Sequence, residues 1–323
     1  MAAIGDGVTG FWAGKRVLVT GGTGFLGRNL LPVLRETGCD VLAPTRQDVN
    51  LLEQAQVRRL MGETKPDIVI HLAGLVGGIL ANRERPAEFC YENLLMGTMV
   101  LHESWRTGAA KYVTLIGGCS YPSRAENPIA EEALWDGYPQ PESAPYALAK
   151  RMSVVQAEAY RREHGFNAIV LVPGNVYGPH DNFDLGNSHV VPALIRRFHE
   201  ANAEGKREVV VWGTGAPVRD FVYVADVCEA IRVATETYSG SETVNISSGV
   251  PTTIKELVEL VARATGYEGD VCWDPTKPNG QMLKAFKVTR MKELLRYRCR
   301  TPLGEGLVKT AAWFAANYLS ARR

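Results

Sequence analysis

Residues 16–27 limit the fold more than any other stretch. "RVLVT" is a short apolar run of strand type, and "GGTGFLG" follows it directly, with Gly21, Gly24 and Gly27 spaced three apart. An amphipathic stretch then runs to Gly38, which is expected to close a helix. Strand, glycine turn and helix in that order make a cradle for a dinucleotide. Glycines let the backbone approach a diphosphate, and the helix start offers free N–H groups and a positive dipole end. The triplet alone is a weak signal in a chain with 32 glycines. Its place between strand and helix carries the weight.

The pattern repeats. "DVLAPT" (40–45), "DIVIHLAG" (67–74), "YVTLIGG" (112–118) and "AIVLVPG" (168–174) read as buried parallel strands with helical stretches between them. The expected fold class is α/β, a Rossmann-type doubly wound parallel sheet with a smaller C-terminal α/β region. Residues 12–174 are expected to form the nucleotide-binding part. Residues 175–323 would form most of the substrate-binding region, interleaved with the sheet.

Composition narrows the function. The net charge is +1, which implies no general attraction to nucleic acid or to a membrane surface. The six cysteines contain no C-x-x-C pair, so neither zinc nor a disulfide framework is indicated. No apolar run approaches a membrane span, and "MAAIGDGVTGFWAGK" lacks the form of a signal peptide. A cytoplasmic location is the expectation.

An NAD enzyme usually carries an acid near the end of the second strand to hold the ribose 2′-hydroxyl. Here that strand runs into Pro44, Thr45 and Arg46. Arg46 suits a 2′-phosphate, with Arg28 beside it, unless both are merely solvated. NADP(H) is therefore the expected cofactor. Asp48 would cap the next turn or reach the adenine amine. The expected cofactor set is Gly21, Gly24, Phe25, Leu26, Gly27, Arg46, Asp48, Ala73, Gly74 and Lys150.

"APYALAKRM" holds Tyr146 and Lys150, which share a face if the segment is helical. An ammonium beside a phenol favours phenolate and would draw the tyrosine pKa toward working pH. Such a tyrosine would protonate a carbonyl oxygen while hydride attacks the carbon. The Y-x-x-x-K spacing occurs at only one of the twelve tyrosines, just past the strand ending in "GGCSYP".

With cradle and Y-x-x-x-K together, the chain resembles the extended short-chain dehydrogenase/reductase family of nucleotide-sugar epimerases, dehydratases and reductases. "NVYGPHDNFDLGNSHVVPALIRRFHEA" (175–201), "VVVWGTGAPVRDFVYVADV" (209–227) and "KPNGQMLKAFKVTRM" (277–291) are similar to its GDP-L-fucose synthase group. That resemblance implies 3,5-epimerisation of a GDP-4-keto-6-deoxy sugar, then NADPH reduction of the carbon-4 ketone. It implies Cys119 and His189 as the epimerising acid–base pair, with Tyr146 and Lys150 serving reduction. His180 is a weaker candidate. Asn175, His189, Trp212, Arg219 and Lys277 are the implied substrate contacts, with no metal. A homodimer is the implied assembly.

One position departs from that group. Its members carry serine or threonine four residues before the tyrosine of "Y-P", bonding the substrate ketone. Counting back from Tyr121 gives Gly117. Loss of one donor to a developing oxyanion costs about 10²–10³ in rate. Three readings stand: Ser120 or a water fills the place, a larger substrate such as a keto-heptose occupies it, or one of the two steps is weak. A non-catalytic NADP-binding protein is the alternative of a different class, and the intact Tyr146 and Lys150 speak against it.

Overall fold

Alternation along the central strands sends their side chains into two separate cores. The computed structural model describes residues 8–277 and 279–322. Residues 1–7, Pro278 and Arg323 lie outside it, and with them half of the N-terminal stretch examined for a signal peptide. Helix α1 (Val8–Trp12) leads into β1 (Arg16–Thr20), α2 (Phe25–Arg35), β2 (Asp40–Leu42), α3 (Gln54–Thr64) and β3 (Ile68–His71). Then come α4 (Ile79–Glu84), α5 (Pro86–Arg106), β4 (Lys111–Leu115), α6 (Ala144–His164) and β5 (Ala168–Pro173). Val17, Val19, Ile68 and Ile70 join one core, and Leu18, Val69, Tyr112 and Val170 join the other. A strand buried on both faces has no polar side to spare, which is why these runs are nearly all apolar.

The second half contains β6 (Asn175–Tyr177), α7 (Val190–Ala203), β7 (Glu208–Trp212), β8 (Val218–Tyr223), α8 (Val224–Thr237) and β9 (Val244–Ile246). It continues with β10 (Pro251–Thr253), α9 (Ile254–Thr265), β11 (Asp270–Asp274), β12 (Leu283–Lys284), α10 (Thr289–Leu294) and α11 (Leu303–Ala316). The main sheet is parallel with order β2-β1-β3-β4-β5-β9. Strand β9 returns from the second half to pair with β5, Leu171 opposite Val244, so the two halves are interleaved. Strand β8 is the hub of a smaller sheet, pairing with β6, β10 and β12, while β7 pairs with β11.

Strand order reverses between β1 and β3. In open parallel sheets that reversal leaves a crevice beyond the carboxyl ends of the strands, where ligands bind. Two boundaries differ from the sequence reading. Strand β2 ends at Leu42, ahead of Pro44, which has no N–H to continue a ladder. Helix α2 is capped by Glu36, and Gly38, with φ +79°, turns the chain only afterwards.

Buried Lys111 fastens β4 to α8. Its ammonium donates to the carbonyls of Ala234 at 3.0 Å, Thr235 at 2.5 Å and Tyr238 at 2.5 Å. They cluster at the end of α8, where carbonyls run short of helical partners, although Ala234 O also accepts from Tyr238 N at 3.1 Å. Among the described residues, no helix is long and apolar enough to cross a membrane.

Candidate active site

The glycine turn is built by contact rather than by flexibility. Gly21 has φ +74°, and a Cβ there would stand 2.6 Å from Ala73 N. A Cβ on Gly27 would overlap the Gly21 carbonyl, so α2 packs against the turn only with glycine at that position. Gly24 N donates to Gly21 O at 2.9 Å and precedes Phe25, the first residue of α2. No side chain caps that helix start, which leaves its first N–H groups open to an anion. A cavity of about 690 Å³ opens in front of it, lined among others by Gly21, Gly24, Arg46, Ala73 and Gly74. The glycine contacts, the open helix start and the cavity in front of it fit a dinucleotide.

Within that set, roles divide. Phe25 and Leu26 are half-buried, with side chains packed against the core. Arg46 stands at the rim, 81% exposed, with Glu92 at 3.9 Å. Asp48 caps the turn before it: its Oδ2 accepts from Thr45 N and Thr45 Oγ1, both at 2.8 Å. Oδ2 of the exposed carboxylate is thereby engaged in the turn. Beneath Ala73 lies a buried pair. Thr20 Oγ1 accepts from Ala73 N at 3.3 Å and meets His71 Nδ1 at 2.7 Å.

Helix α6 brings Tyr146 and Lys150 one turn apart, both on its buried side. The Tyr146 ring meets Phe89 edge-on at 6.1 Å. Beyond β4 the chain makes a tight 3₁₀ turn over Gly118–Ser120, with Ser120 N donating to Gly117 O at 2.9 Å. Arg151 holds that turn against α6, donating through Nε to Ser120 O at 2.6 Å and through Nη1 to Gly137 O at 3.0 Å. The turn delivers Cys119 to Tyr146. A Cβ on Gly117 would lie 3.1 Å from Cys119 Sγ and 3.8 Å from Tyr146 Oη. The missing side chain would therefore have stood between thiol and phenol.

Ser120, the nearest hydroxyl in the turn, is fully buried, and its Oγ has no hydrogen-bond partner among the described residues. Thr114 is buried as well, donating to His71 O at 3.4 Å.

Burial dominates the electrostatics. It pushes the Tyr146 phenol well above its ordinary pKa, with the Cys119 charge adding to the shift. This corrects the expectation that Lys150 draws the tyrosine down; the phenol keeps its proton. Lys150 is itself pushed down to about 8 by burial, against an opposing pull from Cys119. Burial raises the Cys119 thiol, while Lys284 and Lys150 favour its thiolate.

Lys284 escaped sequence reasoning. It lies opposite Arg219 in the β12–β8 ladder, in the fields of Cys119 and Arg219, and burial lowers its pKa. Two residues on, Phe286 sits over Gly118, where a Cβ would come 2.5 Å from the ring. Strand β12 has two residues, too short for any periodicity to reveal. Asn93 was also missed. It donates to Leu75 O at 3.0 Å and Phe89 O at 2.8 Å, pinning the loop after β3.

His189 is the N-cap residue of α7, solvent-accessible yet closely surrounded, and that partial desolvation lowers its pKa. Asp184 shapes the approach to it, its Oδ1 accepting from Gly186 N at 3.1 Å and Asn187 N at 2.8 Å. Asn187 O in turn accepts from Gly78 N at 3.2 Å, joining this loop to the one after β3. Among the described residues no hydrogen bond links His189 to Cys119. His180 stands elsewhere. It has φ +67° and packs on Trp313 at 4.6 Å, in the field of Arg28.

On the far side, the Lys277 ammonium lies 5.7 Å from the centre of the Trp212 ring, and that indole is 57% exposed. Arg219 is desolvated, with Nη1 donating to Val218 O at 2.8 Å. Asn175 donates one amide N–H to Asp220 O at 2.8 Å, which ties it to β8.

Comparison places this arrangement among known proteins. Residues 17–247 match the NAD dependent epimerase/dehydratase family. The chain is 41% identical over 312 residues to a probable GDP-L-fucose synthase 1 of Oryza sativa subsp. japonica, spanning 96% of this chain and 95% of that protein. A GDP-L-fucose synthetase from Naegleria fowleri bound to NADP superposes with a TM-score of 0.89 at 27% identity, covering 96% and 95% of the two chains. A GDP-6-OMe-4-keto-L-xylo-heptose reductase from C. jejuni gives 0.87 at 27% identity, covering 94% and 98%.

Proposed function

The chain belongs to the NAD dependent epimerase/dehydratase family, and from that premise we propose an NADPH-dependent epimerase/reductase acting on a GDP-4-keto-6-deoxy sugar. The observation that carries the reading is the point beside Gly117, which lies near both a thiol and a phenol. Epimerisation needs a group that exchanges protons with carbon next to a ketone. Reduction needs an acid at the ketone oxygen. One keto sugar at that point meets both.

In this reading Cys119 and His189 exchange protons at carbons 3 and 5 from opposite sides of the ring. Their acidity comes from the carbon-4 carbonyl, whose developing negative oxygen Tyr146 stabilises by hydrogen bonding. The buried phenol, still protonated, then gives its proton to that oxygen. When bound, the reduced nicotinamide supplies the hydride to carbon 4. Lys150 holds the nicotinamide ribose and balances charge near the phenol. Arg46 holds the 2′-phosphate. Trp212 and Lys277 take the nucleotide base end and Arg219 the diphosphate, with Asn175 shaping the turn between them. Residues 12–174 carry the nucleotide site and 175–323 most of the substrate site. Tyr91 and Leu94 on α5 and Met152 and Val155 on α6 are exposed apolar side chains on two helices that pack together. They suit the dimer face of a homodimer.

Gly117 favours a second reading, in which the natural substrate is a GDP-keto-heptose and only one step is performed. Space beside the reacting carbons tolerates a larger sugar. The heptose reductase is among the structures this fold matches at 27% identity.

The test is incubation with GDP-4-keto-6-deoxymannose in D₂O, with and without NADPH. Deuterium uptake and nicotinamide absorbance are followed together. Exchange with NADPH oxidation is expected. Exchange without oxidation moves the assignment to an epimerase, and neither signal overturns the hexose reading.

A further inference from the structure

A second arginine enters the nucleotide cavity from the other end of the chain. After α11 the backbone turns, with Ala321 N donating to Asn317 O at 2.8 Å. Arg322 then bridges in parallel to Asn182, and its carbonyl accepts from Phe183 N at 2.7 Å. The loop it joins is tied to the first turn of α2, since Asn29 Nδ2 donates to both Phe25 O and Pro179 O at 2.9 Å. Arg322 thereby lines the same cavity as Thr23 and Gly24.

Its charge is available. Among the described residues no acid lies within ion-pair distance of the guanidinium. The acid whose field it feels is Asp181, which is buried, with its carboxyl pushed up to about 7 and Oδ1 already accepting from Asn182 N at 2.7 Å. A half-neutral, half-committed carboxyl is a poor partner for an arginine. An anion in the cavity is a better one, because a guanidinium donates two parallel hydrogen bonds to phosphate oxygens.

We propose that Arg322 is a cofactor-binding residue whose guanidinium closes over the dinucleotide diphosphate at the glycine turn. Position selects the diphosphate. Arg322 rides on the 178–183 loop beside the start of α2, whereas Arg46 stands on the rim beyond β2 next to Glu92. The inference rests on the dinucleotide reading of this cavity, and the test separates the two.

Dissociation constants for NADPH and NADH are measured by nicotinamide fluorescence on the full chain, with Arg322→Met and Arg322→Lys beside it. Arg322 is exposed, and unchanged thermal melting serves as the folding control. Arg322→Met is expected to weaken both nucleotides by the same factor, about tenfold, with Arg322→Lys recovering part of the loss. The salt dependence of binding should flatten with it. Unchanged affinities overturn the proposal. A loss confined to NADPH also overturns it, because the arginine would then read the 2′-phosphate. If the unsubstituted chain binds neither nucleotide, the cavity reading itself falls and takes Arg322 with it.

Discussion

Cys119 and Tyr146 flank one empty position: a Cβ on Gly117 would stand 3.1 Å from the sulfur and 3.8 Å from the phenol oxygen. In the proposed reading a side chain there faces the reacting carbonyl, but its Cβ would press on the thiol. Gly117→Ser therefore adds a donor and shifts the sulfur by a few tenths of an ångström. With the 4-keto-6-deoxy hexose, NADPH oxidation is expected to rise by about tenfold to a hundredfold, up to the range of one oxyanion donor. Gly117→Ala crowds the sulfur without adding a donor, and should slow the reaction. A fall with both variants on this sugar would mean the space is needed, which favours the larger substrate.

Cys119→Ser and His189→Asn should each cut deuterium exchange into the sugar by about 10²–10⁴, the usual contribution of one acid or base. NADPH affinity should hold in both, since neither residue lines the nucleotide cavity. Equal exchange in Cys119→Ser and the unsubstituted chain would remove the thiol from the mechanism.

Much of this was legible because central strands and a glycine turn are local patterns. An apolar run with a turn after it reads the same wherever it is met. What stayed hidden came from distant segments. Lys284 reaches Cys119 from a two-residue strand, and Arg322 reaches the cavity from beyond the last helix. Neither segment has a period to read. The direction of the Tyr146 shift was also missed, because spacing reveals a neighbouring lysine but not the depth of burial that outweighs it. The hydrogen bonds of Asp48 to Thr45 N and of Asn175 to Asp220 O were not legible either, since spacing does not reveal them.

Alkaline pH should silence reduction through Lys150. Burial lowers this ammonium from 10.5 to about 8. Below that value the charge is present, and it is lost as pH rises through it. kcat for NADPH oxidation should therefore decline above about pH 8. An arginine does not deprotonate in this range, so Lys150→Arg, though slower, should have a flat alkaline limb. An identical decline in both would assign the limb to another group.

Acid should unfold the chain through His71. The imidazole is buried and its pKa falls from 6.5 to about 3, chiefly by desolvation and then by Lys150. Above pH 6.5 both folded and unfolded chains hold it neutral, and its contribution does not vary. Below that, the unfolded chain takes up a proton that the folded chain refuses until about pH 3. Stability then falls by at most about 1.4 kcal/mol per pH unit from this group. His71→Gln should flatten that slope in denaturant unfolding between pH 6 and 4, while the carboxylates keep theirs. Thr20→Val leaves His71 Nδ1 and Ala73 N without their shared partner, at a cost of about 1–3 kcal/mol at neutral pH. It should also loosen nucleotide binding, because Ala73 N lies against the Gly21 turn. An acid limb of the same steepness in His71→Gln would show that the histidine is not the group that titrates.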